Sequence, residues 1–182
     1  MPTYIAMLRG INVGGHKKVA MSKLRKSMTA LGFEMVQTCV QSGNVIFQFA
    51  KSSPKALSEK IGKRILADFG FAVASIVRTS NELREVIENN PLRNKPDIDP
   101  SGLHVTFLSG TPPAPAAKKV NELTPAPEQI CCLGKELYLY CPNGVAGSKL
   151  FRMDFERLLA VQATSRNWNT VNRLCELSLK CG

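Results

Sequence analysis

The succession of apolar repeats in the first 77 residues constrains the fold of this chain more than any other feature. Apolar spacing and turn residues there predict alternating strands and helices. In order, the predicted elements are a strand at 3–11, a helix at 21–31 capped by Gly32, strands at 36–41 and 45–49 around a turn at 42–44, a helix from Ser53-Pro54 to Phe69, and a strand at 73–77. This β-α-β-β-α-β order is the ferredoxin-like plan.

A second series of elements follows a helix that ends at Asn90-Pro91 and a proline-containing linker at 93–102. It contains a strand at 104–108, a helix at 116–123, hairpin strands at 129–133 and 136–140, a helix at 149–161 and a closing helix at 167–179. The predicted class is α+β with two ferredoxin-like (α/β plait) halves, βαββαβ and then βαββα with a closing helix. The predicted domains are 1–92 and 103–182.

The first strand is apolar on both sides. Ile5 and Met7 face one side, and Tyr4, Ala6 and Leu8 face the other. Because an exposed sheet face does not favour such a pattern, we expect the second half or another subunit to cover this sheet.

Composition excludes several classes of protein. A chain of 182 residues with 44% hydrophobic and 21% charged residues is typical of a folded globular protein, not of a disordered chain, collagen or a coiled coil. No apolar run approaches the roughly 18 residues of a membrane span. The first nine residues lack a basic region before their short apolar run, so the cytoplasm is predicted. Six scattered cysteines and two histidines predict reduced thiols and no metal site.

The positive charge is concentrated near the N-terminus. Six basic residues precede Glu34, the first acidic residue, so this segment supplies +6 of the net charge of +10. Clustered cations attract phosphates, nucleic acid or acidic metabolites, although a short basic run is also typical of a solvated face.

A glycine-rich loop lies in this basic region. Gly10, Gly14 and Gly15 let the backbone approach a ligand, and Arg9 and Lys17 flank them. No Ser or Thr follows the lysines, so the loop is not a phosphate-binding P-loop. The segment predicts a weaker anion cradle, or a turn that only redirects the chain.

A second polar segment surrounds the only tryptophan. Arg166 near the start of the closing helix would suit a carboxylate or phosphate. A structural reading also accounts for much of it, because Thr164 or Ser165 would cap the helix while Trp168 points inward.

Aromatic positions argue against RNA recognition of the standard type. Phe47 and Phe49 share the core face with Val45, while Asn44, Ile46 and Gln48 face the other side, where Tyr4 alone would be suitably placed. No Gly-x-Ser-x-Gly elbow occurs, and Ser42 and the cysteines have no assigned base. The sequence therefore assigns no catalytic residue and no cofactor, and it leaves open whether the protein is an enzyme.

Six short blocks share their residues with a known family. They are LRGINVGG at 8–15, QSGNV at 41–45, Arg78-Thr79, Asn90-Pro91, Ser148-Lys149-Leu150 and RNWNTV at 166–171. On these blocks the chain resembles an uncharacterised bacterial family, the domain of unknown function 1697, over its whole length. The resemblance implies two α/β plait halves and brings no established activity. Phe151 departs from the family pattern, which has a small polar residue there.

The sequence predicts that a small anionic ligand or nucleotide binds near the glycine-rich loop, where that loop and the tryptophan segment converge. The predicted ligand-binding residues are Arg9, Asn12, Gly14, Gly15, Lys17, Ser42, Asn44, Lys149, Arg166, Asn167 and Trp168. The alternatives are a nucleic-acid-associated module that uses the basic surface and a structural or interaction dimer.

Overall fold

A computed structural model describes residues 1–123 and 125–181 and divides them into two compact units. Unit 1 comprises Met1–Glu85 together with the described residues from Asn172 on, and unit 2 comprises Val86–Val171. The domain boundaries at 92 and 103 stay a prediction.

Unit 1 contains a four-stranded antiparallel sheet of order β2-β3-β1-β4. The elements are β1 (Thr3–Leu8), α1 (Met21–Thr29), β2 (Glu34–Cys39), β3 (Asn44–Gln48), α2 (Pro54–Phe69), β4 (Ser75–Thr79) and α3 (Ser80–Glu88), of which α3 ends in unit 2. This is the ferredoxin-like arrangement, as predicted. The strand β1 ends three residues before the predicted Ile11, because Gly10 and Asn12 have positive φ of 65° and 55°.

Unit 2 repeats the plan, with the sheet order β6-β7-β5-β8. Its elements are β5 (Leu103–Leu108), α4 (Ala114–Asn121), β6 (Gln129–Leu133), β7 (Glu136–Tyr140), α5 (Phe155–Leu159), β8 (Ala163–Asn167) and the beginning of α6 (Trp168–Lys180). The predicted hairpin strands are confirmed. The strand β8 was not predicted, and it completes the second βαββαβ series.

Two local predictions in unit 2 are wrong. The continuous helix at 149–161 is broken, because Met153 is extended between a 3-10 turn at Leu150–Arg152 and the five-residue α5. The predicted caps Thr164 and Ser165 lie in β8, and Asn167 caps α6 instead by accepting a hydrogen bond from the Thr170 N–H at 2.8 Å.

The two sheets share one register. Ile5 in β1 pairs with Arg78 in β4, as Val105 in β5 pairs with Arg166 in β8. Both arginines are buried, each at the fourth position of its edge strand. The second half therefore repeats the pairing of the first, residue for residue, at the centre of each sheet.

The main core of unit 1 lies between its sheet and its helices. The helix α2 begins as predicted, with Ser53 Oγ accepting from the Ala56 N–H at 3.1 Å and Pro54 in the first turn. Tyr4 pairs with Phe47 in this core, with ring centres 5.7 Å apart. The expectation that Tyr4 lies on the face opposite to Phe47 is wrong, because the two rings lie side by side in this core.

The opposite face of the sheet in unit 1 is also buried, as expected. Ile5 and Met7 are fully buried. The Gln37 side-chain amide donates to Cys181 Sγ at 3.1 Å, and the Gln48 amide donates to the Cys181 carbonyl. The chain that follows the second half therefore returns to β2 and β3 and completes unit 1.

A candidate anion-binding surface in unit 1

The glycine-rich loop forms a tight hairpin. The His16 N–H donates to the Val13 carbonyl at 3.0 Å, and the Asn12 N–H donates to the Lys17 carbonyl at 3.2 Å. Gly14 and Gly15 occupy the tip with φ of 58° and 77°, a left-handed conformation that side chains other than glycine disfavour. The segment is therefore an ordered, exposed projection between β1 and α1.

Asn12 braces this hairpin. Its Nδ2 donates to the carbonyls of Val19 at 3.0 Å and Gln41 at 2.8 Å, and its Oδ1 accepts from the Val19 N–H at 2.8 Å. Both amide hydrogens are thus engaged within the protein. Asn12 fixes the position of the loop, while any contact of its own with a ligand stays a prediction.

The turn at 42–44 adjoins the loop, as expected for neighbouring strands. The Gly43 carbonyl accepts from the Leu8 N–H at 2.8 Å, and a Cβ built on Gly43 would lie 2.4 Å from Ile11 Cδ1. Buried Asn44 donates from Nδ2 to the Cys39 carbonyl and to Ser42 Oγ, each at 3.0 Å. These two polar residues shape the turn on which the loop rests.

Cations surround the loop. Arg9 and Lys18 are exposed, and the Arg9 N–H donates to the Ala74 carbonyl at 2.9 Å. Lys17 is exposed as well, but its Nζ donates to the Ala72 carbonyl at 3.0 Å and lies 6.0 Å from the centre of the Phe71 ring. Lys17 is therefore held against its own unit, while Arg9 and Lys18 add exposed positive charge beside it.

The remaining predicted site residues belong to unit 2. Lys149 is exposed, and its N–H donates to Glu128 Oε1 at 2.9 Å. The Leu150 N–H and the Ser148 hydroxyl both donate to Glu128 Oε2 at 3.0 Å. Burial opposes ionisation, yet these hydrogen bonds lower the pKa of Glu128 below its usual value. The carboxylate of Glu128 thus already accepts the hydrogen bonds that the Ser148-Lys149-Leu150 turn could otherwise donate to a ligand.

Sequence reasoning missed the role of Glu128. The residue lies 20 positions before Ser148 in a proline-containing stretch, and nothing in its local sequence marks it as a partner of that turn. Only the fold brings the two segments together.

The tryptophan segment is internal to a large extent. Arg166 is buried, and its Nη1 donates to Thr164 Oγ1 at 2.9 Å and to the Ser165 carbonyl at 2.8 Å. Burial lowers the pKa of Arg166 to about 10. Trp168 is buried as expected, and exposed Asn167 caps α6. Convergence of this segment with the loop of unit 1 stays a prediction.

Residues 1–138 match the model of a family described as "Protein of unknown function (DUF1697)". The chain belongs to this family. The DUF1697 match covers the glycine-rich loop and the turn beside it, and it ends within β7. The blocks at 148–150 and 166–171 lie beyond it.

The DUF1697 chain is also similar in fold to the conserved bacterial protein SP0830 from Streptococcus pneumoniae. The TM-score is 0.77 at 22% sequence identity, over 98% of this chain and 99% of that one. No curated protein matches the sequence. Among residues 1–123 and 125–181, no group of three or more His, Cys, Asp or Glu side chains is arranged to hold a metal, and no helix is long and apolar enough to cross a membrane.

Proposed function

We propose that unit 1 binds a small phosphate-bearing ligand, such as a nucleotide, at the Arg9–Lys18 loop. The hairpin tip at Gly14 and Gly15 offers backbone N–H groups, and Arg9, Lys17 and Lys18 supply positive charge. Asn12 acts as a positioning residue. The observation that carries the proposal is a braced glycine hairpin with exposed cations on both sides.

The distribution of charge supports this assignment. Unit 1 has 15 basic and 6 acidic residues, a net charge of +9, whereas unit 2 has 9 basic and 8 acidic residues, a net charge of +1. A field of one sign raises the local concentration of anions and speeds their encounter with the surface. The loop lies in the unit that produces nearly all of this field.

The test is a titration of the full chain with ADP, ATP and sugar phosphates, followed by thermal shift and calorimetry. We expect at least one ligand to raise the melting temperature with a saturable concentration dependence. The double variant Arg9→Ala/Lys18→Gln should weaken the binding of that ligand by roughly tenfold or more.

A matched control uses Lys51→Gln/Lys55→Gln, which removes two exposed charges beside the start of α2, at the end of β1 opposite to the loop. This double variant should retain binding within about twofold, because distant exposed charges are largely screened. Equal losses in both variants would indicate a diffuse charge effect and contradict the proposal. A large drop in the melting temperature of the ligand-free Arg9 variant would instead indicate a structural arginine.

Nucleic acid is a second candidate ligand because the exposed cations extend beyond the loop. Lys23 and Lys26 on α1 are exposed, and they continue the basic run. Fluorescence anisotropy with a 20-nucleotide single strand and a matching duplex, across a salt series, tests this alternative. A phosphate-driven mode requires affinity that falls steeply with salt, so salt-independent binding would contradict it.

The cytoplasm is the compartment we propose. All six cysteines are reduced thiols, five of them buried. A chain with this many reduced thiols suits a reducing environment. Diagonal electrophoresis of the protein from its source cells, with and without thiol alkylation, would reveal disulfides if the assignment is wrong.

A further inference from the structure

A cleft lies within unit 2, between α4 and the segment that contains α5. Its volume is 760 Å³, which is in the range of pockets that hold small molecules. Ala116 and Val120 line it from α4, and Met153 and Leu158 line it from the other side. Nothing in the proposed function of unit 1 depends on this cleft.

The cleft has a structural cause in the length of one helix. At the same place in the two halves, α2 has 16 residues and α5 has only five. The helix α5 begins late because Met153 is extended and Asp154 Oδ1 caps it by accepting from the Arg157 N–H at 3.0 Å. It ends early at Ala160, where φ is 54°. The helix α4 thus has a far shorter neighbour than α1 has, and the cleft lies on that side.

The walls of the cleft are largely apolar. Val120 is buried, but Leu158 leaves 49% of its surface exposed. Pro113 and Pro115 stiffen the rim at the start of α4, since a proline ring fixes its backbone φ. An apolar group that enters the cleft would be removed from water, and this removal stabilises a complex.

Two cations line the same cleft. Neither the Lys119 ammonium nor the Arg157 guanidinium has a hydrogen bond or an ion pair within the part of the chain that the structure describes. The one carboxylate in the lining, Asp154, is already engaged as the cap of α5. The charge offered to a ligand is therefore positive, beside apolar walls.

We propose that this cleft binds an amphipathic carboxylate, a small molecule with an apolar chain and one anionic head. The chain lies against Val120, Met153 and Leu158. The head pairs with Lys119 and Arg157, of which the planar guanidinium offers two parallel donors to a carboxylate.

The first experiment titrates decanoate into the full chain below its micelle concentration and follows the backbone amide signals by NMR. We expect saturable shifts confined to residues 113–123 and 153–158, with one molecule bound. Decanol, which has the same chain without the charge, should bind about tenfold more weakly, and decyltrimethylammonium should not saturate. Shifts spread over both units, or equal affinity for the three probes, would overturn the proposal.

The second experiment compares two double variants with the same change in charge. The double variant Lys119→Gln/Arg157→Gln should weaken the binding of decanoate by roughly tenfold. Lys118→Gln/Arg152→Gln removes two exposed cations that do not line the cleft, and it should keep the affinity within twofold. Equal losses in the two double variants would overturn the proposal.

A third variant, Leu158→Asn, keeps the test independent of the cations. It places a neutral polar group in an exposed position on the apolar wall and should weaken the binding of decanoate by roughly tenfold while the melting temperature stays near that of the parent. Retained binding would count against the cleft. Shifts of the same amides with protein concentration alone would show that a second copy covers the cleft, which also overturns the proposal.

Discussion

The two units share topology and register but differ in charge and in the length of one helix. Ile5–Arg78 and Val105–Arg166 are equivalent pairs, yet the net charges are +9 and +1. The helices α2 and α5 hold the same place with 16 and five residues. Inward-facing residues at the sheet centre are constrained by packing, whereas surface charge and helix length are not. Functional differences between the halves are therefore to be sought in those two properties.

The largest effect is expected from truncating equivalent core residues. Phe47 in β3 and Leu139 in β7 hold corresponding positions and are buried. Phe47 also stacks on Phe33, with ring centres 4.0 Å apart. Phe47→Ala should lower the free energy of unfolding by about 3–5 kcal/mol and Leu139→Ala by about 2–5 kcal/mol.

Urea unfolding followed by circular dichroism checks both values. If either substitution costs less than about 1 kcal/mol, the corresponding site is not packed like a protein core. The two equivalent positions would then not contribute equally to the stability of their units.

A second comparison uses two glycines in the hairpin turns. Gly43 and Gly134 both have positive φ, 79° and 60°, but only Gly43 is crowded: a Cβ there would lie 2.4 Å from Ile11 Cδ1, whereas a Cβ on Gly134 would lie 3.9 Å from Glu136 Oε2. Gly134→Ala should cost about 1–2 kcal/mol from the left-handed backbone alone. Gly43→Ala should cost about 1–3 kcal/mol more, because its Cβ would overlap Ile11.

Thermal and urea unfolding of the two glycine variants measure the difference directly. Equal costs would mean that Ile11 moves aside freely, and the tight contact between the turn and the loop would then not hold the loop in place.

The smallest expected effect is a pH dependence that His104 gives to unit 2. Burial lowers the pKa of His104 below its usual value of 6.5, although a hydrogen bond to the Gly102 carbonyl opposes this shift. The unfolded chain therefore takes up a proton at a higher pH than the folded one, and stability declines as the pH falls below about 6.5.

Melting temperatures between pH 7.5 and pH 5 should show this decline in the parent and a flatter curve in His104→Gln. Parallel curves for the two proteins would show that other groups cause the pH dependence. Glu128 affects stability in a different pH range. Because its pKa is lowered in the folded protein, the stability that its carboxylate provides is lost only at pH values below about 4.5.

The elements that could be predicted from the sequence are those whose own residues show a regular apolar spacing. The helix α2 and the hairpin β6–β7 belong to this group. The strand β8, with the sequence ATSRN, has almost no apolar signal, and it forms because β5 offers it a ladder of backbone partners. Met153 interrupts a helical pattern that looks continuous in the sequence, since Asp154 begins a new helix after it.

The candidate site was predictable to a similar degree. The closeness of the glycine-rich loop and the turn at 42–44 follows from the strand order, which the pattern of elements implies. The bracing bonds of Asn12 join it to Val19 and Gln41, and the hydrogen bonds of Glu128 join it to the Ser148 turn, 20 residues away. Neither has a signature in local sequence.

The return of the segment after Val171 to the sheet of unit 1 has a consequence for biosynthesis. Gln48 lies between Thr3, its partner on β1, and Cys181, so the first and the last parts of the chain meet on one strand. The ribosome makes all of unit 2 before the residues from Asn172 on, which belong to unit 1. The half that is synthesised first therefore cannot complete its own unit until the second half has been synthesised.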